Sequence, residues 1–221
     1  VTSIGSYAFA CCYGIQSIVI PSDITTIENH TFYECFSLRQ INLPNSLTSI
    51  GDYAFYKCNR LESIEIPEYL ESIGDYAFAE CTLKNNIKIP NPVSVGAFSF
   101  QNCKWLYEIE ISFDATMIKE SAFEGCTNLN SVIIPNSVTS IGKKSFHNCF
   151  SLKEIEIPNY VESIEDEAFR QCKSLQEIIL NYSITTIGKM SFSGCISLIK
   201  IDIPYSVVSI EDEAFYNCKS L

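Results

Sequence analysis

The sequence predicts an α/β repeat solenoid with one parallel β-sheet, and with short second strands or helical turns on the opposite side. A phenylalanine and a cysteine three residues apart recur ten times, from Phe9 and Cys12 to Phe215 and Cys218, at a step of 23 residues that is broken once by a step of 22. Each period also contains a short alternation of aliphatic and polar residues. Units that repeat at this length stack on their neighbours, because one unit alone cannot bury its apolar face.

The regular spacing leaves no shift in composition and no linker at which the chain could be divided. We therefore predict a single solenoid over residues 1–221, with nine full repeats and partial repeats at both ends. The chain begins late in one repeat and stops early in another, so we expect it to be a fragment of a longer chain.

The period from Cys58 to Cys81 shows the expected order of elements. Residues 64–66 alternate Ile-Glu-Ile, which is typical of a short strand with one face turned inward. Equivalent strands in successive repeats run in the same direction and should form a parallel sheet. Pro67 ends the pairing because proline lacks the N–H that a strand ladder needs, and seven of the nine periods have a proline there.

The second half of the same period combines an apolar pair, Leu70 and Ile73, with the segment Gly-Asp-Tyr-Ala-Phe at residues 74–78. We interpret the pair as an extended stretch and a second short strand. Ser72 belongs to a column of hydroxyl residues that either bonds main-chain groups between coils or simply occupies a surface turn. The Asp-x-Ala-Phe segment predicts a single helical turn capped by the carboxylate of Asp75.

The eleven cysteines do not resemble a disulfide framework, because ten of them occupy one equivalent position in the repeat. Side chains that point the same way in stacked coils do not aim at one another as a disulfide requires. A linear column also offers no tetrahedral set of four metal ligands. We predict buried free thiols that pack as small apolar side chains.

The pattern Leu-x-x-Ile-x-Ile-Pro-x-x-Val-x-x-Ile-Gly-x-x-Ala-Phe-x-x-Cys, almost complete from Leu129 to Cys149, resembles the BspA-like class of leucine-rich repeats. The resemblance covers essentially the whole chain. It implies a right-handed coil and a role as a surface or secreted protein of adhesion and recognition. The sequence departs from the pattern where Ser112 and Asn181 replace proline, and in the 22-residue period from Cys81 to Cys103, where we expect a local bend or bulge.

Composition and charge exclude several classes of partner. The chain carries 26 acidic and 15 basic residues, a net charge of −11, which opposes binding to nucleic acid and to anionic lipid. No apolar run is long enough to cross a bilayer, so we expect no membrane insertion within this segment.

Nothing in the sequence indicates catalysis, a cofactor or a metal site. The only two histidines, His30 and His147, lie in different repeats, and neither stands in a recognisable nucleophile motif. We expect both histidines on solvated turns. A phosphate-binding glycine loop is absent as well.

The outward face of the parallel sheet is the candidate binding surface, and acidic residues dominate it. Acids there either attract a basic partner or only keep an exposed sheet soluble. Trp105 and Tyr107 add contact area of the kind enriched in binding hot spots, although a lone tryptophan could instead cover the bend. The predicted ligand-binding residues are Glu65, Lys88, Trp105, Tyr107, Glu108, Glu110, Glu154, Glu156, Glu177 and Asp202.

The sequence therefore predicts a non-catalytic protein-binding module. Together with the family resemblance, it favours adhesion at a cell surface or secretion, with a matrix or cell-surface protein carrying a basic patch as the partner. An intracellular, cytoplasmic scaffold of the same fold is the main alternative, because free thiols persist in a reducing compartment. End-to-end self-assembly through exposed terminal coils is a third possibility.

Overall fold

The alternating segments of each period form short strands in the computed structural model, which describes all 221 residues. Seventeen strands of two or three residues follow one another along the chain. They are β1 (Ser17–Val19), β2 (Thr26–Ile27), β3 (Gln40–Asn42), β4 (Ser49–Ile50), β5 (Ser72–Ile73), β6 (Ile87–Lys88), β7 (Ser94–Val95), β8 (Glu108–Glu110), β9 (Met117–Ile118), β10 (Ser131–Ile133), β11 (Ser140–Ile141), β12 (Glu154–Glu156), β13 (Ser163–Ile164), β14 (Glu177–Ile179), β15 (Thr186–Ile187), β16 (Lys200–Ile201) and β17 (Ser209–Ile210).

The strands form two rows along the solenoid. The first row contains β1, β3, β6, β8, β10, β12, β14 and β16, and the second row contains the other nine strands. Every strand pair is parallel, and equivalent residues of successive coils face each other, as Ile18 faces Ile41 and Ile141 faces Ile164. The predicted coil of stacked, parallel repeats with a second strand is therefore confirmed.

The prediction of one continuous sheet is wrong, because both rows are interrupted. The first row divides into the sheets β1-β3, β6-β8-β10 and β12-β14-β16, and the second into β2-β4-β5-β7 and β9-β11-β13-β15-β17. Residues 64–66, which we predicted as a strand, form none. The Asn85 side chain donates a hydrogen bond to the Ile64 carbonyl (Nδ2 to O, 3.0 Å) and replaces the strand pairing there.

The structure contains no helix, so the α/β description and the predicted helical turns are wrong. The residue two positions before each repeat phenylalanine has a φ between 50° and 60° in all ten repeats, as at Tyr53. The residue before the cysteine has positive φ as well, as at Lys57. A residue in the left-handed region interrupts a right-handed helix. The N–H groups of Tyr53 and Phe55 consequently bond carbonyls of the next coil, at 2.9 and 2.8 Å.

The aspartates of these segments therefore do not cap helical turns. The Asp52 carboxylate accepts a hydrogen bond from the N–H of Asp75 one coil later (2.8 Å), and the Asp75 carboxylate accepts one from the N–H of Ala97 (2.8 Å). Asp166 accepts a hydrogen bond from Lys189 N–H in the same way, at 2.9 Å. Each carboxylate satisfies a main-chain donor and ties one coil to the next.

Two members of the hydroxyl column in the second row donate hydrogen bonds to side chains, and threonines one residue earlier in the sequence donate to main-chain carbonyls. Ser49 Oγ donates to Thr26 Oγ1 at 3.1 Å, and Ser140 Oγ to Glu165 Oε1 at 3.2 Å. Thr48 Oγ1, one residue earlier, donates to the Thr25 carbonyl at 3.1 Å. The column was therefore identified correctly as polar, but its partners were not.

The interior is a single apolar cluster of 54 buried residues that runs the length of the coil. The repeat phenylalanines stack along it with ring centroids 5.2–5.8 Å apart. Beside them, each cysteine thiol from Cys35 onward donates to the carbonyl of a phenylalanine in an adjacent coil, as Cys126 Sγ does to Phe100 O at 3.1 Å. Burial raises the pKa of the Cys126 thiol to about 12, so it remains protonated at neutral pH.

All eleven cysteines are free thiols in the structure, and eight of them are buried. Cys11, which lies outside the repeat column, is exposed near the start of the chain. The sequence did not predict the hydrogen bonds that the nine thiols from Cys35 to Cys218 donate to phenylalanine carbonyls. These bonds explain why cysteine, rather than alanine, suits this column: the S–H group is a weak donor that a buried carbonyl can use.

Candidate protein-binding face

The first strand row presents two outward columns of side chains, one on each side of a buried central residue. In β8, Ile109 is buried while Glu108 and Glu110 face outward. The predicted residues Lys88, Glu154, Glu156 and Glu177 lie in these columns too. Asp202 follows β16 directly, and Glu65 is exposed on the coil that has no strand in the first row.

The acidic residues around β8 have internal partners. Glu108 Oε2 accepts a hydrogen bond from Asn86 Nδ2 at 2.7 Å, and Glu110 Oε1 lies 3.3 Å from Lys88 Nζ. Trp105 and Tyr107 are 48% and 41% exposed beside them. The aromatic pair is accessible, but part of the negative charge expected at this position is already balanced by the chain itself.

The acidic residues around β12 and β14 have no such partners. Glu154, Glu156 and Glu177 are exposed, and their carboxylates form no ion pair within the chain. Glu154 lies directly opposite Glu177 in the strand register. Like charges that face each other across strands repel, and Lys200, which faces Glu177 from β16, offsets part of this repulsion.

Two isoleucines flank these carboxylates and point into solvent. Ile133 of β10 is 50% exposed and Ile179 of β14 is 71% exposed, and Ile179 faces Glu156 in the register. We name the set Ile133, Glu154, Glu156, Glu177 and Ile179 the isoleucine–glutamate patch. Its members Glu154, Glu156, Glu177 and Ile179 line a groove at the interruption between β10 and β12.

Sequence reasoning missed the two isoleucines of this patch. A signal was present, because Val132-Ile133-Ile134 and Ile178-Ile179-Leu180 are runs of three aliphatic residues where most periods alternate aliphatic with polar. Successive side chains of a strand point to opposite faces of the sheet. At least one of the three aliphatic side chains in such a run therefore faces outward.

Both histidines contradict the prediction of solvated turns. The His30 ring is stacked between Tyr7 and Tyr53, with centroids 4.4 and 4.9 Å away. His147 Nδ1 lies 3.2 Å from Glu124 Oε1 in the neighbouring coil, and its side chain is only 16% exposed. Neither ring faces a cysteine or a serine in a catalytic arrangement.

The structure brings together no set of three or more His, Cys, Asp or Glu side chains that could hold a metal ion. It also contains no helix with the length and apolar character needed to cross a bilayer. The first strand row presents carboxylates, exposed aliphatic groups and exposed aromatic rings.

The sequence matches the family model for the BspA type leucine-rich repeat region, in six copies, over residues 2–112 and 93–221. No curated protein sequence is significantly similar to the chain.

Solved structures of bacterial leucine-rich repeat proteins are similar to this one. A leucine-rich repeat protein of T. pallidum is 29% identical over 67% of this chain and 70% of its own, with a TM-score of 0.63. One from Bacteroides ovatus is 26% identical over 100% of this chain and 81% of its own, with a TM-score of 0.55. A leucine-rich cell surface protein of Faecalibacterium prausnitzii is 28% identical over 89% of this chain and 62% of its own, with a TM-score of 0.58.

Proposed function

Because the chain belongs to the BspA-type leucine-rich repeat family, we propose that it is a non-catalytic module that binds a basic protein partner through its first strand row. The observation that carries this proposal is the isoleucine–glutamate patch. It combines three exposed carboxylates that form no ion pair within the chain with two exposed aliphatic side chains.

The chemistry of the patch defines the partner. Lysine or arginine side chains would neutralise Glu154 and Glu177, and would remove the repulsion between them. Apolar groups beside those cations would cover Ile133 and Ile179, which is favourable by about 25 cal/mol for each Å² removed from water. A partner surface that mixes basic and aliphatic residues fits both requirements.

The predicted residues outside the patch form its surroundings on the same face. Trp105, Tyr107, Glu108 and Glu110 would contact an extended partner that crosses several coils, with Glu65, Lys88 and Asp202 further along the row. Exposed tyrosines follow the first row as well, and Tyr160 and Tyr182 are 65% and 74% exposed. Many contacts of moderate strength would then share the binding energy.

We place this module at a cell surface or in secretion, with extracellular matrix or cell-surface proteins as the class of partner. The similar Faecalibacterium prausnitzii structure is described as that of a cell surface protein, which supports this placement.

The test is a charge reversal of the patch. We expect the triple variant Glu154→Lys, Glu156→Lys, Glu177→Lys to lose binding to the matrix protein that the native chain binds best in a purified panel, measured by surface plasmon resonance. Thermal unfolding should stay nearly unchanged, because all three side chains are exposed and unpaired. Binding of the native chain should also weaken as salt is raised.

The matched control is Glu71→Lys, Glu120→Lys, Glu162→Lys, which makes the same change in net charge at exposed positions away from the first row. We expect this control to retain binding. Equal loss in the two variants would mean that only net charge matters, and undiminished binding of the patch variant would contradict the proposed surface.

A further inference from the structure

The second strand row has a gap between β7 and β9. At least two of the four Cα–Cα distances between Ser94–Val95 and Met117–Ile118 exceed 8 Å, whereas paired strands lie about 4.8 Å apart. The coils remain joined elsewhere, since β6 pairs with β8 and Phe100 N–H bonds the Ala122 carbonyl at 2.9 Å. The two coils are thus unpaired on the side of the second row and remain bonded elsewhere.

Two departures from the repeat create this gap. The 22-residue period lacks one residue between Val93 and Ser94, where the preceding coil has Glu71 between Leu70 and Ser72. In the next coil Ala115 stands in a column that otherwise holds valine, leucine or isoleucine, and it leaves space beside Ile111 and Phe123. The result is an apolar crevice whose floor is the core of the solenoid.

The crevice exposes main-chain groups that are paired at other joints. In the following joint, Thr139 N–H bonds Thr116 O at 2.9 Å and Gly142 N–H bonds Ile118 O at 2.8 Å. At the gap, the equivalent donors Thr116 N–H and Lys119 N–H have no main-chain partner. The carbonyls of Val93 and Val95 on the other side accept no hydrogen bond either.

We propose that this crevice binds an extended, apolar peptide segment of a partner protein, which inserts between β7 and β9 as a parallel strand. The inserted carbonyls would accept hydrogen bonds from Thr116 and Lys119, and the inserted N–H groups would donate to Val93 and Val95. One aliphatic side chain would point inward against Ala115 and Phe123. The second row would become one continuous sheet.

The free main-chain groups favour a peptide over a purely apolar ligand. Donors line one side of the gap and acceptors line the other, and an amide chain supplies the complement of both. An apolar molecule would leave all four groups without partners, and unpaired buried polar groups are costly. The site lies in the second row and is separate from the first-row surface described above.

The probe is a blocked pentapeptide, acetylated and amidated, with the sequence of residues 138–142, Val-Thr-Ser-Ile-Gly. This segment occupies the corresponding place in a regular coil. We expect its addition to shift the backbone amide NMR signals of Thr116 and Lys119 and to slow their hydrogen exchange. The chemical control is the same peptide with N-methyl groups on the amides of Thr and Gly, which removes the donors that Thr139 and Gly142 use at the intact joint. It should bind at least about tenfold more weakly, as the loss of two hydrogen bonds predicts.

The protein variant is Ala115→Val, which restores the aliphatic residue that eight other coils have and fills the crevice. We expect it to fold and to lose the peptide response. Val161→Ile, a similar enlargement at an intact joint, should keep that response. Equal binding of both peptides, equal binding by Ala115→Val, or no shift at millimolar peptide would each overturn the proposal.

Discussion

Repeats with the same sequence pattern differ in whether their buried hydroxyl groups have hydrogen-bond partners. The residue before each phenylalanine is alanine in six repeats, but Ser99, Ser145 and Ser191 stand there in three others. Each of these serines is buried, and its hydroxyl has no hydrogen-bond partner. Thr31, at the same place, donates its hydroxyl hydrogen to the Glu28 carbonyl at 2.7 Å.

We expect Ser145→Ala to raise the free energy of unfolding by about 1 kcal/mol, because it removes a buried hydroxyl without a partner. Thr31→Ala is the matched control and should lower stability, since it deletes a hydrogen bond that is made. Chemical denaturation of both variants measures the two effects. A destabilised Ser145→Ala variant would show that this hydroxyl has a partner in solution.

Hydrogen bonds between side chains connect one repeat to the next. The clearest example joins three side chains from successive coils. Gln101 Nε2 donates to Glu124 Oε2 at 2.9 Å, and His147 Nδ1 lies 3.2 Å from Glu124 Oε1. Burial raises the pKa of the Glu124 carboxyl, but the hydrogen bonds from His147 and Gln101 outweigh it and lower this pKa from 4.5 to about 2.

A carboxyl whose pKa is lower in the folded protein stabilises the fold above its unfolded pKa. This contribution is lost as the pH falls toward the folded value. We therefore expect the difference in stability between the native chain and Glu124→Gln to shrink as the pH falls from about 4.5 to about 2. Urea unfolding at a series of pH values measures it. A difference that stays constant down to pH 2 would contradict the depressed pKa.

The contacts between repeats also explain why the Asp-x-Ala-Phe segment forms no helical turn. The Asp-x-Ala-Phe segment has a plausible cap and good local sequence for one helical turn, and local propensity alone could not reveal the left-handed residues within it. Those conformations are imposed by the next coil, whose carbonyls accept the N–H groups of Tyr53 and Phe55. A contact 22 residues away in sequence overrides the local preference.

At the scale of the whole molecule, stability in a solenoid is approximately a sum over repeats and the interfaces between them. The joint between β7 and β9 lacks main-chain bonds that the other second-row joints have. Protection from hydrogen exchange should therefore be uneven along a chain whose core is continuous.

We expect the amides of Thr116 and Lys119 to exchange rapidly in the free protein, and those of Thr139 and Gly142, one coil later, to exchange much more slowly. Mass-spectrometric or NMR exchange measurements compare the pairs directly. Equal protection at the two joints would indicate that the gap is closed in solution.

The sequence by itself determined the stacked, parallel coil, the inward columns of phenylalanine and cysteine, and the irregular place at the 22-residue period, because these depend on spacing and on the burial of apolar side chains. It also directed attention to the outward face of the first strand row. Which carboxylates there lack a partner was decided only by the tertiary structure, since Glu110 and Glu154 look alike in sequence but only Glu110 has a lysine within 3.3 Å. The breaks in both rows and the conformation of the Ala-Phe turn likewise arise from hydrogen bonds between coils, and spacing along one coil does not specify them.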